Sequence, residues 1–399
     1  MNNTKGLFPI IFLVLCVLAW YSCYGWIALK NYVTTFQAIT GVVVLYLLFS
    51  CYSEIFSFRH KIISLIFIGQ LVTAIVEFLM YGQSIFGLYK VFLPSFAILI
   101  YFYLHKHRIN PETVEKFLII SAVIYFCCWL IQIYEFPNYI FGMQRDDFLE
   151  NFESRGFYRF WIPTKEHFPF LVFYFLCLFS IKRKFLYIII AFIAFGCVVL
   201  HVARQIIIWT LLFAVIYFMI QNKKSVKSTI VLILISVISL NCFFSKSEVV
   251  SNLIEITENQ QANIEDDIRK EASEYFIKES FKNPLTAVVG RGFPVVKGDG
   301  VSKRISFETS QGYYRSDVGF FGLLCDTGLW SVFLYILLLY KIVRMKVLSK
   351  DMYLKYYMFY VYGSFLFSHT LTTNIMFNMC AIYILEISMS TQAKMLVKA

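Results

Sequence analysis

The sequence predicts an all-α polytopic membrane protein of about twelve transmembrane helices with one large, partly helical outer loop. Three observations carry this. Of 399 residues, 59% are apolar and only 15% charged, whereas a soluble globular chain has about 25% charged residues. Forty-three Phe and 27 Tyr suit acyl chains and the aromatic belts at both membrane surfaces. Apolar runs long enough to cross about 30 Å of hydrocarbon recur along the whole chain. Disorder, a disulfide scaffold and a soluble enzyme are excluded.

The runs fall at 7–27, 33–52, 62–81, 87–104, 117–134, 168–181, 185–203, 205–220, 229–244, 318–340, 353–370 and 374–390. The sixth, eighth and ninth are short enough to extend into their flanks or to re-enter the membrane. Lys5 ahead of the first run resembles a signal peptide, yet no small-residue cleavage site follows, and Trp20, Tyr21, Tyr24 and Trp26 are bulky. It reads as an uncleaved first helix.

With the N-terminus inside, the inner segments collect Arg59 and Lys61, Lys106 and Arg108, Lys182 to Lys184, Lys223 to Lys227, and Lys341 to Lys355. Against them stand few acids: Glu54, Glu112, Glu115 and Asp351. The outer segments are close to neutral. The +11 net charge is therefore a topology signal, and nucleic acid is not a partner. Both termini are expected in the cytoplasm.

All ten cysteines lie in or beside spans, and no Cys/His spacing suggests zinc. His60, His105 and His107 fall in plain basic loops. Glu77, Asp326 and Glu386 are the only clear carboxylates within spans, fewer than a secondary transporter would be expected to need.

The expected organisation is an N-terminal bundle (1–244, with an outer loop at about 135–167), a large outer loop (245–317) and C-terminal helices (318–399). A protein whose only sizeable polar segments face outward is expected to act there. In the large loop, Ile264, Ile268, Ala272, Tyr275 and Phe276 recur at helical spacing, so 262–282 predicts an amphipathic helix. Glu265 with Arg269, Asp266 with Lys270, and Glu274 with Lys278 support it as i, i+4 pairs. Asn283-Pro284 ends it, and Gly290-Arg291-Gly292 forms a turn presenting one arginine.

Several polar groups need an explanation. Arg204, in His201-Val202-Ala203-Arg204-Gln205, interrupts two apolar runs, so its guanidinium either meets an anion or snorkels at a helix end. Arg269 is a second candidate anion ligand or a solvated partner of Glu265, and Arg291 a third or a turn residue. In the first outer loop, Arg155, Arg159, Trp161 and His167 combine cations and aromatics suited to glycan contact or to an interfacial belt. Asp317, where the large loop re-enters, is a candidate general base or a favourably placed carboxylate at a helix start.

Three elements in order resemble the bacterial O-antigen polymerase and O-antigen ligase superfamily of membrane glycosyltransferases. They are Arg204 at an outer span boundary, the stretch from Arg269 through Asn283-Pro284 to Val289-Gly290-Arg291-Gly292-Phe293, and the re-entry segment Ser316-Asp317-Val318-Gly319 to Gly328 with its spaced glycines. The ligase branch usually carries a histidine near the third element, where Ser316-Asp317 stands here, which favours polymerase.

The resemblance implies transfer from an undecaprenyl diphosphate-linked oligosaccharide at the outer face of the plasma membrane, without metal, nucleotide sugar or other cofactor. A flippase and a chain-length regulator are the implied working partners. On that reading Arg204, Arg269 and Arg291 bind the diphosphate and Asp317 is the base. An O-antigen ligase and a polysaccharide flippase or other transporter are the alternatives, although no internal repeat supports the last.

Overall fold

The computed structural model describes residues 7–23, 26, 32–81, 84–142, 162–201, 204–222, 268–293 and 301–398. Among these residues the protein is built of helices, and five helices are long and apolar enough to cross a membrane, or six if one bent pair counts as a single span. Three shorter apolar helices accompany them. The expected span at 229–244, the cations Arg155 and Arg159, and Trp161 lie outside the described residues.

The first helices are α1 (Leu7–Ser22), α2 (Val33–Phe56) and α3 (Lys61–Tyr81). The run expected as one span at 87–104 is instead broken. Helix α4 (Ile85–Phe92), a 3-10 turn (Ser95–Ile98) and α5 (Leu99–Lys106) replace it, and the axis bends by 52°. Pro94 stands at the break, where its ring lacks the N–H that would continue the hydrogen-bond ladder. Asn110 caps α6 (Pro111–Glu135) by accepting from the Glu112 N–H at 3.1 Å, with proline at the first helical position.

A hairpin of α7 (His167–Lys182) and α8 (Phe185–Leu200) comes next, turned by Arg183 in the left-handed region. Then comes α9 (Arg204–Asn222). The polar insertion supplies α10 (Ile268–Ser280), α11 (Pro284–Val289) and α12 (Val301–Ser310). The chain closes with α13 (Gly319–Arg344), α14 (Met352–Phe365), the short α15 (Thr370–Thr373) and α16 (Ile375–Lys398).

Between apolar helices in lipid, close packing and hydrogen bonds do most of the work that exclusion of water does elsewhere. Glycine notches receive aromatic rings. A Cβ on Gly69 of α3 would lie 2.6 Å from Trp330 of α13, and one on Gly363 of α14 would lie 2.6 Å from Trp209 of α9. Tyrosines span between elements: Tyr353 of α14 donates to Glu115 of α6 at 2.8 Å, and Tyr21 of α1 donates to Asn374.

Helices α3 and α13 pack side by side and antiparallel, because Trp330 donates to the Leu65 carbonyl while the Glu77 end of α3 meets the Asp326 region of α13. Polar groups collect at both ends of this pair. At its far end stand Glu77 and Asp326, and at its near end His60 and Lys341, about 25 Å of helix away.

Candidate functional site

The polar insertion folds back onto α13, and a kink in that helix receives it. Gly328 adopts φ 72 and ψ −179, so the helical ladder is interrupted inside Gly319–Arg344. The carbonyls this frees are taken up from outside. The Arg291 N–H donates to Cys325 O at 2.8 Å, and the Gly292 N–H donates to Asp326 O at 2.9 Å. Buried backbone acceptors are thereby satisfied by the insertion rather than by the helix itself. On the other side, Thr73 of α3 donates to the Val289 carbonyl at 2.6 Å. Asn283 caps α11 through the Leu285 N–H at 2.9 Å, which aims the Gly290-Arg291-Gly292 turn at the kink.

Around this junction the charged side chains pair off. Arg315, in the 3-10 turn Arg315–Asp317, is 7% exposed. Its Nη2 donates to both Glu308 oxygens at 3.0 and 2.9 Å, its Nε lies 3.2 Å from Asp326 Oδ1, and Phe276 of α10 stands 5.5 Å from the guanidinium carbon. Arg291 forms an ion pair with Glu279, which Lys282 also meets. Three cations thus face three carboxylates, and Glu77, buried on α3, lies against Gly292 as a fourth. His369, beyond the end of α14, and Arg315 both pack against Gly322.

This pairing changes the expected picture of bare guanidinium groups awaiting an anion. Arg291 reaches the junction but is engaged by Glu279, so a diphosphate would have to displace that carboxylate. Arg269 lies exposed on the first turn of α10. Arg204 begins α9, a helix packed chiefly against α7, α8 and α14. The resemblance groups the three arginines; of them, the junction at Gly328 takes in Arg291 through its backbone.

Asp317 is exposed and accepts from the Ser316 hydroxyl at 3.3 Å, two residues from the buried Arg315. His167, expected to touch glycan, is fully buried instead. Its Nδ1 lies 2.6 Å from the Thr164 carbonyl and its ring stacks on Tyr125 at 5.0 Å, so the imidazole packs the bundle and no ring face is open to a sugar.

Arg315, Glu308 and Glu279 escape a reading of the sequence. A signal exists in Tyr313-Tyr314-Arg315, a cation beside aromatics at the edge of an apolar run, although the ring that meets the guanidinium is Phe276 of α10. The helix Val301–Ser310, which carries Glu308, is short and mostly polar. No protein-family model matches the chain, and a search of curated proteins finds no match.

Proposed function

We propose that this chain is a polysaccharide repeat-unit polymerase, transferring glycan from an undecaprenyl diphosphate-linked donor to a lipid-linked acceptor at the outer face of a bacterial plasma membrane. The observation that supports this reading most is the seating of the polar insertion on the α13 kink. It gathers Arg291, Arg315 and their carboxylates where the α3–α13 pair ends, in the region that carries two of the three resemblance elements. In this reading the chain has twelve spans, the 245–317 segment lies outside, and both termini are cytoplasmic.

The chemistry derives from the residues. The acceptor hydroxyl attacks the anomeric carbon, its proton passing to Asp317, which is exposed. The bond between the anomeric carbon and the diphosphate oxygen breaks, and the diphosphate leaves with the electron pair. Arg204, Arg269 and Arg291 stabilise the charge it gains, Arg291 exchanging Glu279 for phosphate. Arg315 keeps its two carboxylates and holds the loop in register.

The test is a deletion strain with an intact flippase. Single repeat units on undecaprenyl diphosphate should accumulate on the outer leaflet, and the polymer should vanish. Accumulation on the inner leaflet would instead identify a flippase, and full-length unattached polymer on the outer leaflet a ligase.

A further inference from the structure

At the opposite end of the α3–α13 pair, three potential metal ligands from separate elements converge. His60 closes the turn before α3, His105 lies in the last turn of α5, and Glu386 projects from the middle of α16. One ligand atom from each lies within 4.8 Å of the other two. Glu386 Oε2 is 3.2 Å from His105 Nε2 and 3.8 Å from His60 Nδ1. Ligand atoms on a tetrahedral zinc, bonded at about 2.0 to 2.1 Å, stand roughly 3.3 Å apart, so small rotations of these side chains suffice to close a shell. The geometry points to a binding site for a single first-row divalent cation of the zinc type, held by His60, His105 and Glu386.

Both Glu386 oxygens are engaged by neighbours, one on each side. Lys341 donates to the other oxygen, Glu386 Oε1, at 2.5 Å, which leaves Oε2 turned toward the two imidazoles. Lys341 is 35% exposed, so solvent screens its charge from a bound cation. The Tyr101 hydroxyl donates to Oε2 at 2.5 Å and lies 2.9 Å from His60 Nδ1, so it borders the three ligands.

The imidazole rings of His60 and His105 lie 3.9 Å apart, a separation that two protonated rings would resist. A metal here would fasten the start of α3 and the end of α5 to the middle of α16, independently of any chemistry at the far end.

The test is titration of the purified full-length protein, stripped with a chelator, with Zn2+ and with Co2+. The expected result is one equivalent bound per chain, a visible d–d band of tetrahedral Co2+, and a melting temperature that rises with added Zn2+. His60→Ala and His105→Ala should each abolish the Co2+ band, while His107→Ala, in the same basic segment, should retain it. Should either ligand variant fail to fold, Glu386→Gln replaces it, with about a tenfold or greater loss of Zn2+ affinity expected. Absence of stoichiometric metal in the wild-type protein, or an unchanged Co2+ band in the ligand variants, overturns the inference. Polymer formation is a separate readout, so failure here leaves the proposed transferase reading untouched.

Discussion

Gly290 and Gly328 meet backbone to backbone: a Cβ placed on Gly328 would lie 2.4 Å from the Gly290 nitrogen, and one on Gly290 would lie 2.2 Å from the Asp326 carbonyl oxygen. Both residues combine φ near +80 with an extended ψ, at 84 and 171 for Gly290 and at 72 and −179 for Gly328, a region essentially reserved for glycine. The contact joins the polar insertion to the bundle. Gly290→Ala and Gly328→Ala are each expected to destabilise the protein by about 1–3 kcal/mol from backbone conformation alone, with the steric overlap adding to it. Thermal unfolding in detergent checks this, with Gly196→Ala as control, since nothing lies within 4 Å of a Cβ there.

Arg315 between Glu308 and Asp326 is a buried ion triad. Removing the cation alone leaves two carboxylates facing one another, so Arg315→Met should cost about 3–5 kcal/mol. Adding Glu308→Gln and Asp326→Asn to that variant should recover part of the loss, because the uncompensated charge is then gone. A stability series over these variants measures the coupling. Strictly additive losses would mean that the three side chains do not act as a unit.

Stability should fall on mild acidification. In the metal-free protein, burial first and the neighbouring His105 second lower the His60 value from an ordinary 6.5 to about 4. The unfolded chain therefore takes up a proton below 6.5 that the folded chain refuses until about 4, so the residue's contribution is complete above 6.5 and is lost between those values. Melting temperature measured across that window should decline. His60→Asn should flatten the decline.

Much of the helical layout can be read in the sequence because apolar run length alone sets it: the runs at 33–52, 62–81 and 117–134 become Val33–Phe56, Lys61–Tyr81 and Pro111–Glu135. Where a run is interrupted by local chemistry, length misleads. Pro94 divides the run at 87–104. The helix expected over 262–282, whose first residues lie outside the described ones, ends at Ser280 ahead of Asn283-Pro284 as the sequence indicates, and Asn283 then caps Pro284–Val289. The glycines and Arg291 of the insertion turn are legible for the same local reason, since a tight turn shows in adjacent residues.

Arg315 is not legible, because its meaning lies in burial and in partners from two other elements, Glu308 on α12 and Asp326 on α13. His60, His105 and Glu386 are hidden in the same way: each is unremarkable in its own segment, and only the packing of α5 and α16 brings them together. His167 shows the converse error. A histidine beside cations and aromatics looks like a surface contact, yet Tyr125, Phe377 and the Thr164 carbonyl enclose it.

Relieving the pairing of Arg291 separates its two roles. Glu279→Gln should weaken the grip on the Arg291 guanidinium while leaving the backbone bonds to Cys325 and Asp326 in place. If Arg291 exchanges Glu279 for phosphate during transfer, this variant should bind an undecaprenyl diphosphate-linked donor more tightly than wild type, by about tenfold for each 1.4 kcal/mol relieved. Binding to donor-loaded nanodiscs measures it. Equal or weaker binding would remove Arg291 from the diphosphate contact.

The transfer reaction itself is tested most directly by reconstituting the purified chain in liposomes with undecaprenyl diphosphate-linked repeat units and resolving the products by length. The wild-type protein should yield a ladder of polymers. Arg204→Lys, at equal abundance in the bilayer, should yield none, because lysine keeps the charge but lacks the planar two-pronged donor that grips a diphosphate. A normal ladder from the lysine variant would contradict the proposed role of the arginines.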